Sequence, residues 1–123
     1  MFAGTGEIAT TEVRVGPLEE FVKADDLREP AMLKLDVQGF EYEALIGSES
    51  LLPHFDLVYC ECSFVELYSG QKLAWEIIDW LSVRSFGLVG VFNPTYDRRG
   101  QAVQADFLFG RKGGCGVVEK SLA

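Results

Sequence analysis

Residues 31–41 read Ala31-Met-Leu-Lys-Leu-Asp-Val-Gln-Gly-Phe-Glu41, and most of the architecture follows from this stretch. Up to Val37 it alternates with period two. Leu33, Leu35 and Val37 fall on one face, and Met32, Lys34 and Asp36 on the other, which predicts a strand over 31–37. Gln38-Gly39 breaks it, because glycine lets the backbone turn sharply. A helix is expected over 40–46, with Phe40, Ala44 and Glu43 at helical spacing, ended by Gly47.

The same alternation of elements continues downstream. Leu51-Leu52-Pro53 leads to a strand over 56–62, and 63–71 reads as a loop. Leu73, Ile77, Ile78 and Leu81 form the apolar stripe of a helix over 73–85. A strand over 88–92, a turn-rich loop over 93–100 and a last strand over 103–109 follow. Upstream, the alternating residues 11–15 read as a short strand. Gly16-Pro17 then opens a helix in which Leu18, Phe21 and Val22 share a face. Two strand–helix–strand crossovers between 31 and 92 require parallel strands in right-handed units. The last connection has no helical pattern, so the final pair should be an antiparallel hairpin. The expected class is α/β, a parallel sheet with an antiparallel member near one edge.

The chain has 123 residues, 48% apolar and 24% charged, which suits one globular domain. The expected division is a loose segment over 1–12, the domain over 13–110 and a flexible tail over 111–123. The net charge of −8 disfavours a phosphate-backbone binder, so no nucleic-acid partner is expected. It disfavours adhesion to anionic lipid equally. No apolar run approaches the ~18 residues of a membrane span, and residues 1–7 carry no secretory pattern. Cys60, Cys62 and Cys115 are an odd set, which argues for a reducing compartment and a cytoplasmic location. With His54 the single histidine, a zinc site lacks ligands and no metal is expected.

Fourteen of the nineteen acidic side chains lie within residues 1–66, so acidic chemistry belongs to the first half. Open parallel sheets bind ligands beyond the carboxyl ends of their strands. Asp36 closes one strand and Glu61 lies near the end of the next, so the two can face one pocket. Gln38, Gly39 and Glu41 stand at the turn after Asp36, and Lys34 precedes it on the same strand face. Structural roles are open for the same residues. Asp36 can cap a helix, Glu41 can sit in a solvated first turn favoured by the helix dipole, and Lys34 can pair with either. A further reading groups Asp36, Glu41 and Glu61 as a magnesium-type oxygen site. Arg98-Arg99 reads as an exposed turn, and Trp75 and Trp80 as core or interface residues.

Several blocks together resemble a known family. These are Leu18-Glu-Glu-Phe21, Leu33-Lys-Leu-Asp-Val-Gln-Gly-Phe-Glu41 and Leu45-Ile-Gly47, then Val58-Tyr-Cys-Glu61, Ser63-Phe64, Leu67-Tyr68 and Gly70-Gln71. Asp97-Arg-Arg-Gly100 and Gln104-Ala-Asp-Phe-Leu-Phe109 complete the set. Over about residues 13–110 the chain resembles the downstream part of the FkbM methyltransferases, many of which have Glu where this chain has Gln38.

The resemblance implies a partial Rossmann-like methyltransferase sheet and an S-adenosylmethionine-dependent transfer of a methyl group. The implied acceptor is an oxygen of a small molecule or glycan. Asp36, Glu41 and Lys34 are the implied catalytic residues, with Asp36 positioning or deprotonating the acceptor. Asp36, Gln38, Gly39 and Glu61 are implied to contact the cofactor. The family's acidic, Gly-rich cofactor loop has no counterpart here, and Gly4-Thr-Gly6 is too near the start to supply it. The first three family strands are therefore expected to be missing. That would leave the strand over 31–37 with a bare edge and an apolar face uncovered. A homo-oligomer, or a partner supplying the other half, is the corresponding expectation. The alternative is a non-catalytic oligomeric α/β module that binds a partner through that edge.

Overall fold

The computed structural model describes residues 9–13, 22–28 and 30–113. Its five strands are β1 (Ala9–Val13), β2 (Ala31–Leu35), β3 (Leu57–Ser63), β4 (Phe86–Tyr96) and β5 (Ala102–Arg111). The helices are α1 (Glu41–Ile46) and α2 (Ala74–Ser82), with single 3-10 segments at Ala24–Asp26 and Glu49–His54. The strands form one sheet in the order β1-β2-β3-β5-β4. β1, β2 and β3 are parallel, and β5 runs antiparallel to both β3 and β4.

The α/β class and the antiparallel closing hairpin are as the sequence predicts. One spatial detail differs from sequence order. β4 runs parallel to β3 but is not beside it, because β5 inserts between them. The α2 crossover therefore skips one strand position, and the hairpin folds back to fill it.

The expectation of a bare edge on the strand over 31–37 is corrected. β1 pairs along all of β2, from Ala9 opposite Ala31 to Val13 opposite Leu35. The alternating β-branched residues that predict a strand over 11–15 form one two residues earlier, and they take the vacant hydrogen-bonding edge. The helix expected after Pro17, the Gly4–Gly6 segment, Cys115 and most of the tail lie outside the described residues.

The parity of β2 is borne out. Ala31, Leu33, Leu35 and Val37 join the apolar core, as do Val58, Cys60 and Cys62 of β3 and Ala105, Phe107 and Phe109 of β5. α1, α2, the Glu49–His54 segment and residues 22–27 pack on these side chains. Phe55, Phe86 and Phe109 are the largest of the wholly buried side chains, and burying each contributes ~1.5–3 kcal/mol. The thiols of Cys60 and Cys62 are 3.8 Å apart within the core. The contact with Cys62, then burial, pushes Cys60 well above an ordinary thiol, and it packs as a small hydrophobe.

α2 begins where Glu76 accepts the Leu73 N–H at 2.8 Å and buries Ala74, Ile77 and Leu81, one stripe at helical spacing. α1 starts one residue later than the sequence reading. Its buried face is therefore Glu41, Ala44 and Leu45, while Phe40 is left 62% exposed. Trp80 packs on the core, with Tyr42 edge-on at 6.0 Å and the Arg84 guanidinium 3.7 Å over its ring. Trp75 does not: it is 58% exposed, one position off the buried stripe. β4 reaches four residues into the expected loop. Pro94 is tolerated there because β4 is an edge strand within the described sheet, and Asn93 adopts φ 54 where the register shifts. Asp97 closes the turn by accepting the N–H groups of Arg99 and Gln101, so Arg98 and Arg99 ride on an exposed turn.

Candidate functional site

The carboxyl ends of β2 and β3 lie side by side, with Leu35 opposite Cys60 in the register. Two grooves of about 260 and 220 Å³ open there and share Glu61. The first is lined by Lys34, Asp36, Tyr59, Glu61, Asn93 and Asp106. The second includes Gln38, Glu61, Ser63, Tyr68, Gln71 and Gln104 in its lining.

The turn between β2 and α1 explains the second groove. Val37 accepts the Phe40 N–H at 3.3 Å, and Gln38 and Gly39 both have positive φ, 37° and 97°. This is the geometry of a primed turn, which glycine adopts freely and glutamine under strain. The turn aims the Gly39 N–H at the Glu41 carboxylate, 3.1 Å from one oxygen and 3.3 Å from the other. Glu41 is 4% exposed and not in a solvated first turn. Burial raises its pKa; its own N–H and that of Gly39 oppose the rise, and Glu61 and Asp36 add to it.

Gly39 is engaged on its other side too. A Cβ built there would lie 2.5 Å from Tyr68 Cδ2 and 2.9 Å from Cε2, so the tyrosine ring rests directly on the glycine. Gln71 holds the loop that carries Tyr68. Its Oε1 accepts the N–H groups of Leu67 and Tyr68 at 2.9 and 3.3 Å, and its Nε2 donates to Ser63 Oγ at 2.9 Å. Glu66 accepts the Gly70 N–H at 2.6 Å.

In the first groove, three strands converge on Asp106. Tyr59 of β3 donates its hydroxyl to Asp106 Oδ2 at 2.9 Å, and Asn93 of β4 donates Nδ2 to the same oxygen at 2.8 Å. Asp106 stands opposite Glu61 in the β3–β5 register. Burial, then Asp106 and Asp36, raise the Glu61 pKa. Burial, then the bond to Asp106, push Tyr59 up to about 12.

The sequence-predicted residues thus meet in one region but not in one cluster. Lys34, Asp36 and Glu61 line the first groove, and Gln38, Gly39, Glu41 and Glu61 the second. Among the described residues no group of three or more His, Cys, Asp or Glu is placed to hold a metal ion, so the magnesium reading has no ligand set. Tyr59, Asn93, Asp106, Gln71 and Gln104 are missed by the sequence reading. Asp106 had a signal, being a carboxylate inside an apolar strand. Asn93 had none, because its role depends on a bulge. No described helix is long and apolar enough to cross a membrane.

A family model described as the Methyltransferase FkbM domain matches residues 3–88, a span that holds β1, β2, β3 and both helices. No curated protein and no solved structure matches the chain.

Proposed function

Because the chain belongs to the FkbM methyltransferase domain family, we propose that its two neighbouring grooves serve methyl transfer from S-adenosylmethionine to a hydroxyl of a small molecule or glycan. The observation that carries this reading is the placement of Asp36 and Glu61. They come from adjacent parallel strands, at their carboxyl ends, and line a single groove, where open α/β sheets bind ligands.

The donor set suits the cofactor's cationic end. A sulfonium and an ammonium are both positive, and Asp36, Glu61 and Asp106 give the first groove three acidic side chains. Each groove alone falls just below the ~300 Å³ at which small-molecule sites begin, and Glu61 lines both. When bound, the cofactor supplies an electrophilic methyl carbon. The chain's own residues bind, orient and move a proton. Asp36, exposed at the mouth of the groove, is the base that takes the proton of the acceptor hydroxyl. Lys34 lines the same wall and brings a positive charge to it. Glu41 works from beneath. By accepting the Gly39 N–H it fixes the turn that sets Asp36 and Gln38, which makes it a positioning residue. Gly39 shapes the same turn, with its N–H and its open face both engaged inside the chain. Gln38 and Glu61 remain to contact ligand.

The test is calorimetric titration of the full chain with S-adenosylmethionine and S-adenosylhomocysteine, with light scattering to give the oligomeric state. Saturable binding that weakens in Glu61→Gln supports the reading. Absence of binding to either compound by a folded chain overturns it.

A further inference from the structure

A third groove, of about 330 Å³, shares no lining residue with the first two. It is lined by Tyr42 of α1 and by Lys72, Glu76, Asp79, Trp80 and Val83. The last four recur at helical spacing along one face of α2 and its C-cap. The Tyr42 and Trp80 rings meet edge to face, 6.0 Å apart at 78°, and the face of such a ring attracts cations. The chain already lays two of its own on these rings. The Arg84 guanidinium lies 3.7 Å over Trp80, fixed by the Glu49 carboxylate at 3.0 Å and the Trp80 carbonyl at 2.9 Å. The Lys72 ammonium lies 5.3 Å from the Tyr42 ring centre. Its side chain is exposed, and among the described residues it makes no ion pair or hydrogen bond. Glu76 commits one carboxylate oxygen to the Leu73 N–H, and among the described residues the Asp79 carboxylate makes no hydrogen bond. Two carboxylates against one ammonium leave the groove net negative.

We propose that this groove binds a small molecule carrying a quaternary ammonium, which takes the place of Lys72. Its methyl groups lie against Tyr42 and Trp80, and Glu76 and Asp79 balance its charge. A primary ammonium is strongly hydrated, and ring faces give its N–H groups poor replacements for water, so Lys72 holds its place weakly. A quaternary ammonium has no N–H to satisfy and suits ring faces. Val83, 78% exposed, adds an apolar rim for the methyl groups. The volume of about 330 Å³ lies within the range of small-molecule sites. A phosphate beside the ammonium would meet Glu76 and Asp79, so the ligand is a free small molecule and not a phospholipid head. The inference does not rest on the methyl-transfer reading.

The experiment is NMR titration of the full chain with choline. Its uncharged carbon isostere controls for shape, and phosphocholine for a phospholipid head. Saturable shifts of the Trp80 indole N–H are expected, with the isostere about fivefold weaker. Tyr42→Leu should weaken choline about fivefold, while Tyr42→Phe, which keeps the ring face, binds it as wild type does. Lys72→Ala should bind choline about threefold more tightly, because the competing charge is gone. Amide spectra of each variant establish that it is folded. Absence of saturable binding to the wild type, or shifts confined to the grooves beside Asp36 and Glu61, overturns the inference. So does an isostere that binds as well as choline, an unchanged affinity in folded Tyr42→Leu, or a Lys72→Ala chain that binds choline no better than wild type. Phosphocholine that binds more tightly than choline overturns the assignment to a free small molecule.

Discussion

Gly39→Ala tests whether the turn after β2 is built around the Tyr68 ring. Two costs arise at once. Gly39 has φ 97, a conformation that costs an L-residue ~1–3 kcal/mol. The added Cβ would also lie 2.5 Å from Tyr68 Cδ2 and 3.0 Å from Cγ. Cγ is the root of the ring, so a flip about the ring axis does not relieve the clash and the whole ring must swing away. Because the ring is 49% exposed, it can swing into solvent, which limits the second cost to its lost contacts, ~1 kcal/mol. The sum is ~2–4 kcal/mol against a total stability of ~5–15 kcal/mol. For a chain of this size that lowers Tm by ~6–15 °C. The assay is thermal unfolding of wild type, Gly39→Ala, Tyr68→Ala and the double variant. In the Tyr68→Ala background the clash is gone and only the backbone cost remains, so a coupling of ~1 kcal/mol is expected. Hydrogen exchange should show faster exchange over 64–72 in Gly39→Ala. Additivity within ~0.3 kcal/mol, or a loss below ~0.5 kcal/mol in Gly39→Ala, refutes the packing of the ring on the glycine.

Glu61 tests the electrostatics of the grooves by pH. Its carboxyl binds its proton more tightly in the folded chain than at the usual value of 4.5, because of burial, Asp106 and Asp36. The folded state therefore holds more protons in that window, and stability falls as pH rises through it. Glu61→Gln removes this slope, so its Tm relative to wild type should rise from pH 4 to pH 7; a constant difference sinks the assignment. Asp106→Asn should lower the Tyr59 pKa from about 12 toward an ordinary phenol, seen as phenolate absorbance in the difference between each protein and its Tyr59→Phe counterpart. An unmoved titration would mean that the Tyr59–Asp106 bond does not form in solution.

The succession of elements was legible in the sequence because burial imposes a period. Leu33, Leu35 and Val37 alternate since one face of β2 is core, and Ala74, Ile77 and Leu81 recur at helical spacing since one face of α2 is core. The same logic separates Asp36 and Lys34 from the core and sends them to the groove. The Gln38-Gly39 break was visible as well, because a turn with two positive φ values restricts which residues can occupy it. These are local constraints, each written within a few residues of where it acts.

What the tertiary structure alone decided are the pairings between distant segments. Nothing in residues 9–13 says that they lie beside β2, and nothing in residues 102–111 says that they insert between β3 and β4. Hydrogen-bonding edges are satisfied by backbone, which is the same at every residue, so the choice of neighbour leaves little trace in side chains. That choice determines the candidate site. Asp106 meets Tyr59 and Asn93 only because β5 lies between β3 and β4, and Tyr68 meets Gly39 only because the loop after β3 folds back over the turn after β2. The sequence supplied Asp36, Glu41 and Glu61 as candidates by type and position. The fold buried Glu41 under a backbone N–H, left Asp36 at the mouth of a groove and set Glu61 opposite Asp106, because packing across strands distinguishes carboxylates that local pattern treats alike.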